Sequence, residues 1–339
     1  MPKPLKILAL FDSPAPTTLD QDLRAELQTP DWKTEARVLA TLRALGHIVA
    51  PLALHDDLDL LEQKLRRFTP DLIFNLVDHF KNNRGFDRNI AALLELRGIP
   101  FTGCGATGMT LCKHKALSKK ILGYHGLLVP AFTVVTRGQR PVRPKSLNFP
   151  LIIKPLKEQA SLGISRASFV TTDAQFGTRA RFVHDSFDHD AIAEEYIAGR
   201  ELYVGLIGNR RPTVFPIREL VFRDVPPGEP NIATFRAKWD QPYRQRWGLR
   251  NQFAKGLAPA LVRHIEQLAK HIYGLLEIDG YARLDLRLTP NNEIYFLEAN
   301  PNPMLAPDED FARAARKAGL AYPQLLTRLI YLGLTAVRD

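Results

Sequence analysis

The chain has 339 residues, 45 % hydrophobic and 24 % charged, enough apolar material to pack a core in two or three domains of about 100–200 residues each. No apolar run reaches the ~18 residues of a membrane span, and Ile7–Phe11 behind the basic opening is too short for a secretory signal core, so the sequence reads as cytoplasmic with no membrane partner. The net charge of +10 leaves nucleic acid, anionic surfaces and small anions open as partners.

Taken in chain order, the first segment alternates strand and helix. Lys6–Phe11 is a short apolar strand, and Thr34–Leu45 carries apolar residues at helical spacing, closed by Gly46. His47–Leu54 reads as a strand, Leu58–Phe68 as a helix stopped by Pro70, Asp71–Val77 as a strand, Asn89–Leu96 as a helix and Ile99–Thr102 as a strand. Such alternation predicts a mostly parallel, doubly wound sheet in an α/β domain over residues 1–112. A second unit, 113–198, has the helix Lys115–Tyr124 and the strands Pro130–Val135 and Leu151–Lys154. The third, 199–339, has the strand Glu201–Gly208 and an irregular Arg-, Pro- and aromatic-rich stretch from Val225 to Leu257, too long for an ordinary connection. The amphipathic helix Pro259–Leu276, two strands, and the helices Asp308–Ala318 and Tyr322–Leu332 complete it.

Between Glu95 and Glu158 there is no acidic residue, while eleven Lys and Arg fall there, among them Lys113, Lys115, Lys119 and Lys154. That pattern suggests either a surface facing a polyanion or an ordinary solvated basic face. Gly103–Gly108 is a literal G-x-G-x-x-G, but a dinucleotide site needs an acidic residue about 20 positions on, which the acid-free stretch excludes. The run is read as a glycine-rich turn between two units. Cys104 and Cys112 have no zinc-like spacing and read as buried reduced thiols.

The strongest signal lies near the C-terminus. Ala282–Leu288 and Glu293–Asn300 are alternating runs joined by Thr289-Pro290-Asn291-Asn292, which predicts a hairpin. Pairing Pro290 with Glu293 sets Asp285 opposite Glu298 and Arg283 opposite Asn300 on one face, with opposed Cβ atoms ~4.5–5.5 Å apart. Two carboxylates that close need neutralising, and Mg²⁺ takes oxygen ligands together with substrate phosphates. Asp285, Glu298 and Asn300 are thus candidate metal ligands, with Arg283 able to pair with a phosphate. A cross-strand salt-bridge ladder with Arg283 and Arg287 is the structural alternative. Leu151-Ile152-Ile153-Lys154-Pro155 ends an apolar strand in a lysine before the small-residue loop Leu156–Ser165, whose amides could meet phosphate oxygens. Ile192–Val204 is a strand ending in Glu194 and Glu195, turning at Gly199 and resuming at Glu201; it offers an edge for adenine and ribose, or ordinary solvated acids.

Together these elements resemble the ATP-grasp superfamily, and most closely the D-alanine–D-alanine ligases, from about Asp71 onward. The resemblance implies an ATP-grasp fold in which two α+β units sandwich ATP behind a Rossmann-like first domain. It implies that Lys115 and Lys154 bind ATP phosphates, that Glu194, Glu195 and Ile197 form the adenine hinge, and that Glu201 binds ribose. Lys238 matches the lysine of a loop closing over the terminal phosphate. Asp285, Glu298 and Asn300 would hold two Mg²⁺ ions (Mn²⁺ as a substitute), and Arg283 would stabilise the acyl phosphate. The implied reaction joins amino acids or a peptide through an acyl phosphate, and the implied assembly is a homodimer, with no nucleic-acid partner.

The departures concern substrate recognition. Phe11–Pro16 lacks the family's Gly-rich loop and its glutamate. The phosphate-loop E-G-S-S is Glu158-Gln159-Ala160-Ser161, leaving Ser161 as the catalytic-loop serine. His79 fits its histidine only approximately, and Met304 replaces a substrate-facing glycine. The reaction type is therefore expected to be kept and the D-alanine specificity altered. Arg236, Lys238, Arg244, Arg246 and Arg250, interleaved with Trp239, Tyr243 and Trp247, suggest a larger or anionic acceptor or a phosphate clamp. A carboxylase, a glutamate-adding ligase and a non-catalytic nucleotide- or nucleic-acid-binding protein are the alternatives.

Overall fold

The computed structural model describes residues 3–226 and 229–338. Strands β1 (Lys6–Asp12), β2 (Ile48–Leu54) and β3 (Leu72–Asn75) form a parallel sheet in the order β2-β1-β3, separated in sequence by α1 (Lys33–Ala44) and α2 (Leu58–Phe68). The apolar run Ile7–Phe11 is fully buried, as a parallel strand covered on both faces requires. Helix α2 is capped by the Asp57 carboxylate accepting from the Asp59 amide, and ends at Thr69 (φ 46°), just ahead of Pro70. Helix α3 (Asp87–Leu96) follows.

The strand expected at Ile99–Thr102 is reduced to one parallel bridge, Phe101 to Ile73. Gly103 turns the chain away at φ +99°, where a Cβ would lie 2.6 Å from the Asn302 side chain. The glycine-rich run is the turn read from the sequence. The Cys104 amide donates to Asn302 Oδ1 (2.8 Å) and the Gly105 amide to Asp279 Oδ1 (2.6 Å), so its N–H groups face the C-terminal part of the chain.

Helices α4 (Ala106–Lys113) and α5 (Lys115–Tyr124) lead into an antiparallel sheet of β4 (Phe132–Val135), β5 (Leu151–Pro155), β6 (Phe169–Val170) and β7 (Ala191–Glu195), ordered β4-β7-β5-β6. Its core is closed by α6 (Asp173–Phe187), a helix the sequence reading did not single out, although Phe176, Ala180 and Val183 are buried at helical spacing against Leu151 and Ile153.

The third sheet contains β8 (Arg200–Ile207), β9 (Thr213–Val214), β10 (Arg218–Val221), β11 (Arg250–Phe253), β12 (Tyr281–Leu288) and β13 (Ile294–Pro301), with β13 at one edge. The stretch read as irregular is ordered between β10 and β12. It forms α7 (Phe235–Trp239), α8 (Gln241–Arg246) and β11, with Thr234 and Asp240 side chains capping the two helices; residues 227 and 228 within it lie outside the described residues. The short, polar helices carry too few apolar positions for a helical period to be legible. Helices α9 (Pro259–Leu275), α10 (Asp310–Lys317) and α11 (Tyr322–Thr335) complete the chain. Leu325, Leu329 and Leu332 of α11 pack with Ile7 and Leu72, so the C-terminal helix returns to the first sheet. Leu8 and Leu10 share a further core with Leu202 and Leu284, whereas the central sheet keeps its own.

The basic stretch divides between surface and interior, with Lys120, Arg137, Arg140, Lys145 and Lys157 exposed. Lys113, Lys115, Lys119 and Lys154 are all buried, Arg143 is paired with Asp173, and Arg97 with Glu62. The absence of acids there reflects partners supplied from elsewhere: Asp87 for Lys113, Glu194 for Lys119 and Lys154.

Candidate active site

The β12–β13 hairpin brings the expected set together. Asp285 pairs with Glu298 and Arg283 with Asn300. The register at the tip differs from expectation: the Thr289 amide donates to Glu293 O (2.9 Å) and Leu288 stands opposite Ile294, one residue away from the Pro290–Glu293 pairing. A bulge at Leu297, between the Phe296 and Glu298 rungs, makes up the difference. The Arg283 guanidinium donates twice to Asp285, Nε to Oδ1 (2.7 Å) and an Nη to Oδ2 (2.9 Å). Burial pushes the Asp285 carboxyl up against that pull. Burial acts on Glu298 in the same sense, but Lys115, Lys238, Lys154 and Arg283 together outweigh it and hold that carboxyl well below its usual range.

Two clefts open along this hairpin. The first, about 620 Å³, is lined by Lys154, Ser161, Glu194, Glu195, Ile197, Glu201, Lys238, Asp285 and Glu298. Glu194 does not face the cleft as a free acid. Its Oε1 lies 3.0 Å from Lys119 Nζ and its Oε2 2.9 Å from Lys154 Nζ, and these two cations overcome burial to keep it ionised. The Glu195 and Tyr196 amides donate to Ala131 O and Pro150 O, while Ile197, which lines the cleft, makes no backbone hydrogen bond among the described residues. Glu201 accepts from Arg287 Nη2 and from the Tyr203 hydroxyl, both at 2.9 Å. Lys115 stands behind the cleft. Its ammonium donates to the Glu158 carbonyl in the Leu156–Ser165 loop, and burial lowers its pKa to about 8.

The Leu156–Ser165 loop and the α7 segment are laced together. Ser161 Oγ donates to Ala233 O (2.8 Å), the Phe235 amide to Ile164 O (3.0 Å) and Trp239 Nε1 to Ala160 O (3.2 Å). Ala160 and Ser161 both take positive φ (55° and 60°), turning the loop sharply beneath Lys238. Lys238 lines both clefts.

The second cleft, about 2280 Å³ and open, is bounded by Arg283, Asn300, His79, Asp12 and Met304. Sequence reasoning found no acid near Phe11–Pro16 with a role. Asp12 supplies one: its Oδ2 lies 2.9 Å from His79 Nδ1, and that contact raises the imidazole pKa. The end of an apolar strand is where such an acid emerges. Asp78 and Asp310 line the same cleft but are paired with Arg84 and Arg218, whereas Asp31, Glu35 and Glu309 have no cationic partner among the described residues. Glu35 Oε2 is buried without a hydrogen-bond partner, and burial raises this carboxyl to about 7. The arginines that suggested an anionic acceptor are largely engaged: Arg236 with Asp240, Arg244 with Ala237 O and Asn251, Arg246 against Trp247.

The family model for the D-Ala–D-Ala ligase C-terminus matches residues 121–331. D-alanine–D-alanine ligase A of Escherichia coli is 30 % identical over 272 residues, covering 78 % of this chain and 70 % of its own. The chain belongs to the D-alanine–D-alanine ligase family. An uncharacterized protein of Sinorhizobium fredii is 28 % identical over 308 residues, covering 89 % and 87 %. The fold agrees: the D-alanine–D-alanine ligase of Bacillus anthracis complexed with ATP superposes with a TM-score of 0.74 at 20 % identity, over 98 % of this chain and 97 % of that one.

Membership makes the chain an ATP-dependent ligase that forms carbon–nitrogen bonds. Among the described residues no helix is long and apolar enough to cross a membrane. The ligase hairpin also fits a divalent cation. Asp285 and Glu298 present oxygens at one rung, and the Asn300 amide nitrogen is buried without a partner, so the Asn300 carboxamide is not committed to another protein contact through that atom. Among the described residues no three His, Cys, Asp or Glu cluster at metal-binding spacing, so the set depends on the Asn300 oxygen and substrate phosphates as additional ligands.

Proposed function

We propose that this ligase activates the carboxyl group of an amino acid or short peptide as an acyl phosphate and joins it to an amine, with substrates other than a pair of D-alanines. One observation carries the reading. The two clefts meet at the hairpin, with Asp285 and Glu298 lining the first, Arg283 and Asn300 lining the second, and Lys238 lining both.

ATP enters the first cleft with its base against the free backbone of Ile197 and its ribose beside Glu201. Its phosphates run toward Lys154 and the Ala160–Ser161 turn. A carboxylate in the second cleft attacks the γ-phosphorus, and ADP leaves. The amine then attacks the acyl carbon, loses a proton and expels phosphate, with Arg283 beside the carbonyl oxygen. Asp285, Glu298 and Asn300 are the residues that would hold Mg²⁺, which when bound would supply neutralisation of the phosphoryl charge. The lacing of Ser161 and Trp239 across the cleft supports exclusion of water from the acyl phosphate.

Met304 in the second cleft and the unpartnered carboxylates Asp31, Glu35 and Glu309 support a cationic or amine-rich acceptor. ATP use and two buried thiols support a cytoplasmic setting. We read residues 1–112, 113–198 and 199–339 as the three units, although the first and third share a core.

The test is incubation with ATP, Mg²⁺ and a panel of D- and L-amino acids and dipeptides, with mass spectrometry of products. A new amide accompanied by ADP and phosphate is expected. A D-alanyl-D-alanine product formed faster than any other would overturn the altered specificity and leave the reaction type standing.

A further inference from the structure

Lys119 has no exposed surface, yet it carries a formal charge in the interior. Its position on α5 is explained by what lies opposite. Strand β13 is the edge of its sheet, so the outward N–H and C=O groups of that strand need partners from outside the sheet. Two are supplied from α5 and the loop behind it: the Phe296 amide donates to Leu128 O (2.9 Å), and Lys119 Nζ donates to Leu297 O (2.6 Å).

Leu297 is the bulge residue, and the bulge decides where Glu298 points. From the tip downward the ladder pairs Leu288 with Ile294 and Leu286 with Phe296. Continued regularly, it would set Leu297 against Asp285 and turn Glu298 to the opposite face, because a one-residue slip inverts every side chain beyond it. The extra residue, Leu297, restores the Asp285–Glu298 rung and has no rung of its own. Lys119 occupies its carbonyl. The same ammonium reaches Glu194, whose other oxygen holds Lys154.

We propose that Lys119 is a positioning residue of the ligase site: by clamping the Leu297 carbonyl it fixes the bulge that turns Glu298 toward Asp285, and through Glu194 it ties that rung to Lys154 of the nucleotide cleft. The inference rests on the proposed function, because it takes Glu298 as a metal ligand and Lys154 as a nucleotide ligand. Lys119 itself touches neither.

Lys119→Met keeps much of the side-chain volume and removes the donor and charge. Three readouts test it, with Leu122→Ala on the same helix as a destabilised control that leaves these contacts alone. Amide hydrogen exchange in the metal-free protein, over peptides covering 294–301, should accelerate at least tenfold in Lys119→Met and no more than twofold in the control. Titration with Mn²⁺ in the presence of ADP should show affinity weakened at least fivefold in Lys119→Met only. kcat should fall at least tenfold while the KM for ATP changes less than threefold. Exchange and Mn²⁺ affinity within twofold of the unsubstituted protein in Lys119→Met would overturn the role. Should that variant be insoluble, Lys119→Gln is read by the same measurements against the same limits. The unsubstituted protein must first bind Mn²⁺ in a way that Glu298→Gln abolishes. Without that, the metal-site reading fails, and the exchange measurement alone decides whether Lys119 holds the bulge.

Discussion

Arg283 grips Asp285 from two positions along the same strand, with one fork contact at 2.7 Å and the other at 2.9 Å. Both carboxylate oxygens are taken, and they are the oxygens a metal would use. The fork therefore keeps a buried carboxylate compensated in the ligand-free protein. Arg283→Ala removes the compensation and should lower stability by about 3–5 kcal/mol. Mg²⁺ with ADP should restore more stability to that variant than to the unsubstituted protein, because the cation replaces a charge only the variant lacks. Thermal melting with and without the additions checks this.

Lys238 joins the two clefts, so its effect should appear in turnover more than in nucleotide binding. Lys238→Ala should reduce kcat by about 10²–10³-fold, the scale of losing one transition-state charge donor. Nucleotide affinity, followed by calorimetric titration with ADP, should change by less than about tenfold. A larger loss in affinity than in kcat would make Lys238 a ground-state ligand.

Glu35 sets a pH dependence whose sign follows from its raised carboxyl. Its folded-state value is about 7, against an ordinary 4.5. The unfolded chain therefore gives up this proton first, and stability falls as pH rises from about 4.5 through 7. The interval corresponds to on the order of 3 kcal/mol at its fullest. Glu35→Gln should flatten this part of the profile and be more stable than the unsubstituted protein at pH 8, by denaturant titration at pH 5 and pH 8. A cationic substrate bound at this carboxylate should lose affinity in the same variant.

Glu201 and Arg287 are both buried, paired at 2.9 Å, and line the first cleft, where the proposed reading places the ribose. Glu201→Ala leaves Arg287 without its counter-charge, so the variant should lose about 3–5 kcal/mol and bind ATP more weakly. The double variant Glu201→Ala with Arg287→Met should recover most of the stability but not the ATP affinity. That separates the structural ion pair from the nucleotide contact.

The hairpin was legible because antiparallel pairing is arithmetic: two alternating runs and a short turn are enough to put Asp285 against Glu298. The tip was displaced by one residue because a bulge at Leu297 leaves no mark in an alternating sequence. Lys154 and Glu194 were picked out at strand ends and Lys238 by resemblance, but the side-chain contacts of Glu194 were not legible. A buried acid held by Lys119 and Lys154 looks in sequence like any acid at the end of a strand. That four lysines of the acid-free stretch are interior was hidden for the same reason, since the counter-charges of Lys113 and Lys119 are Asp87 and Glu194, both outside it. Asp12 and Glu35 were not legible as site residues. They emerge from a strand end and a helix start, and they gather near His79 and Glu309 through the packing of distant segments.

The central claim is tested most directly by the fate of the nucleotide and of oxygen. With ATP, Mg²⁺ and amino acids carrying ¹⁸O in the carboxyl group, the account predicts ADP, an amide, and inorganic phosphate containing one labelled oxygen, all lost in Asp285→Asn. AMP with pyrophosphate, or phosphate without label beside an amide product, would contradict acyl-phosphate chemistry at this hairpin.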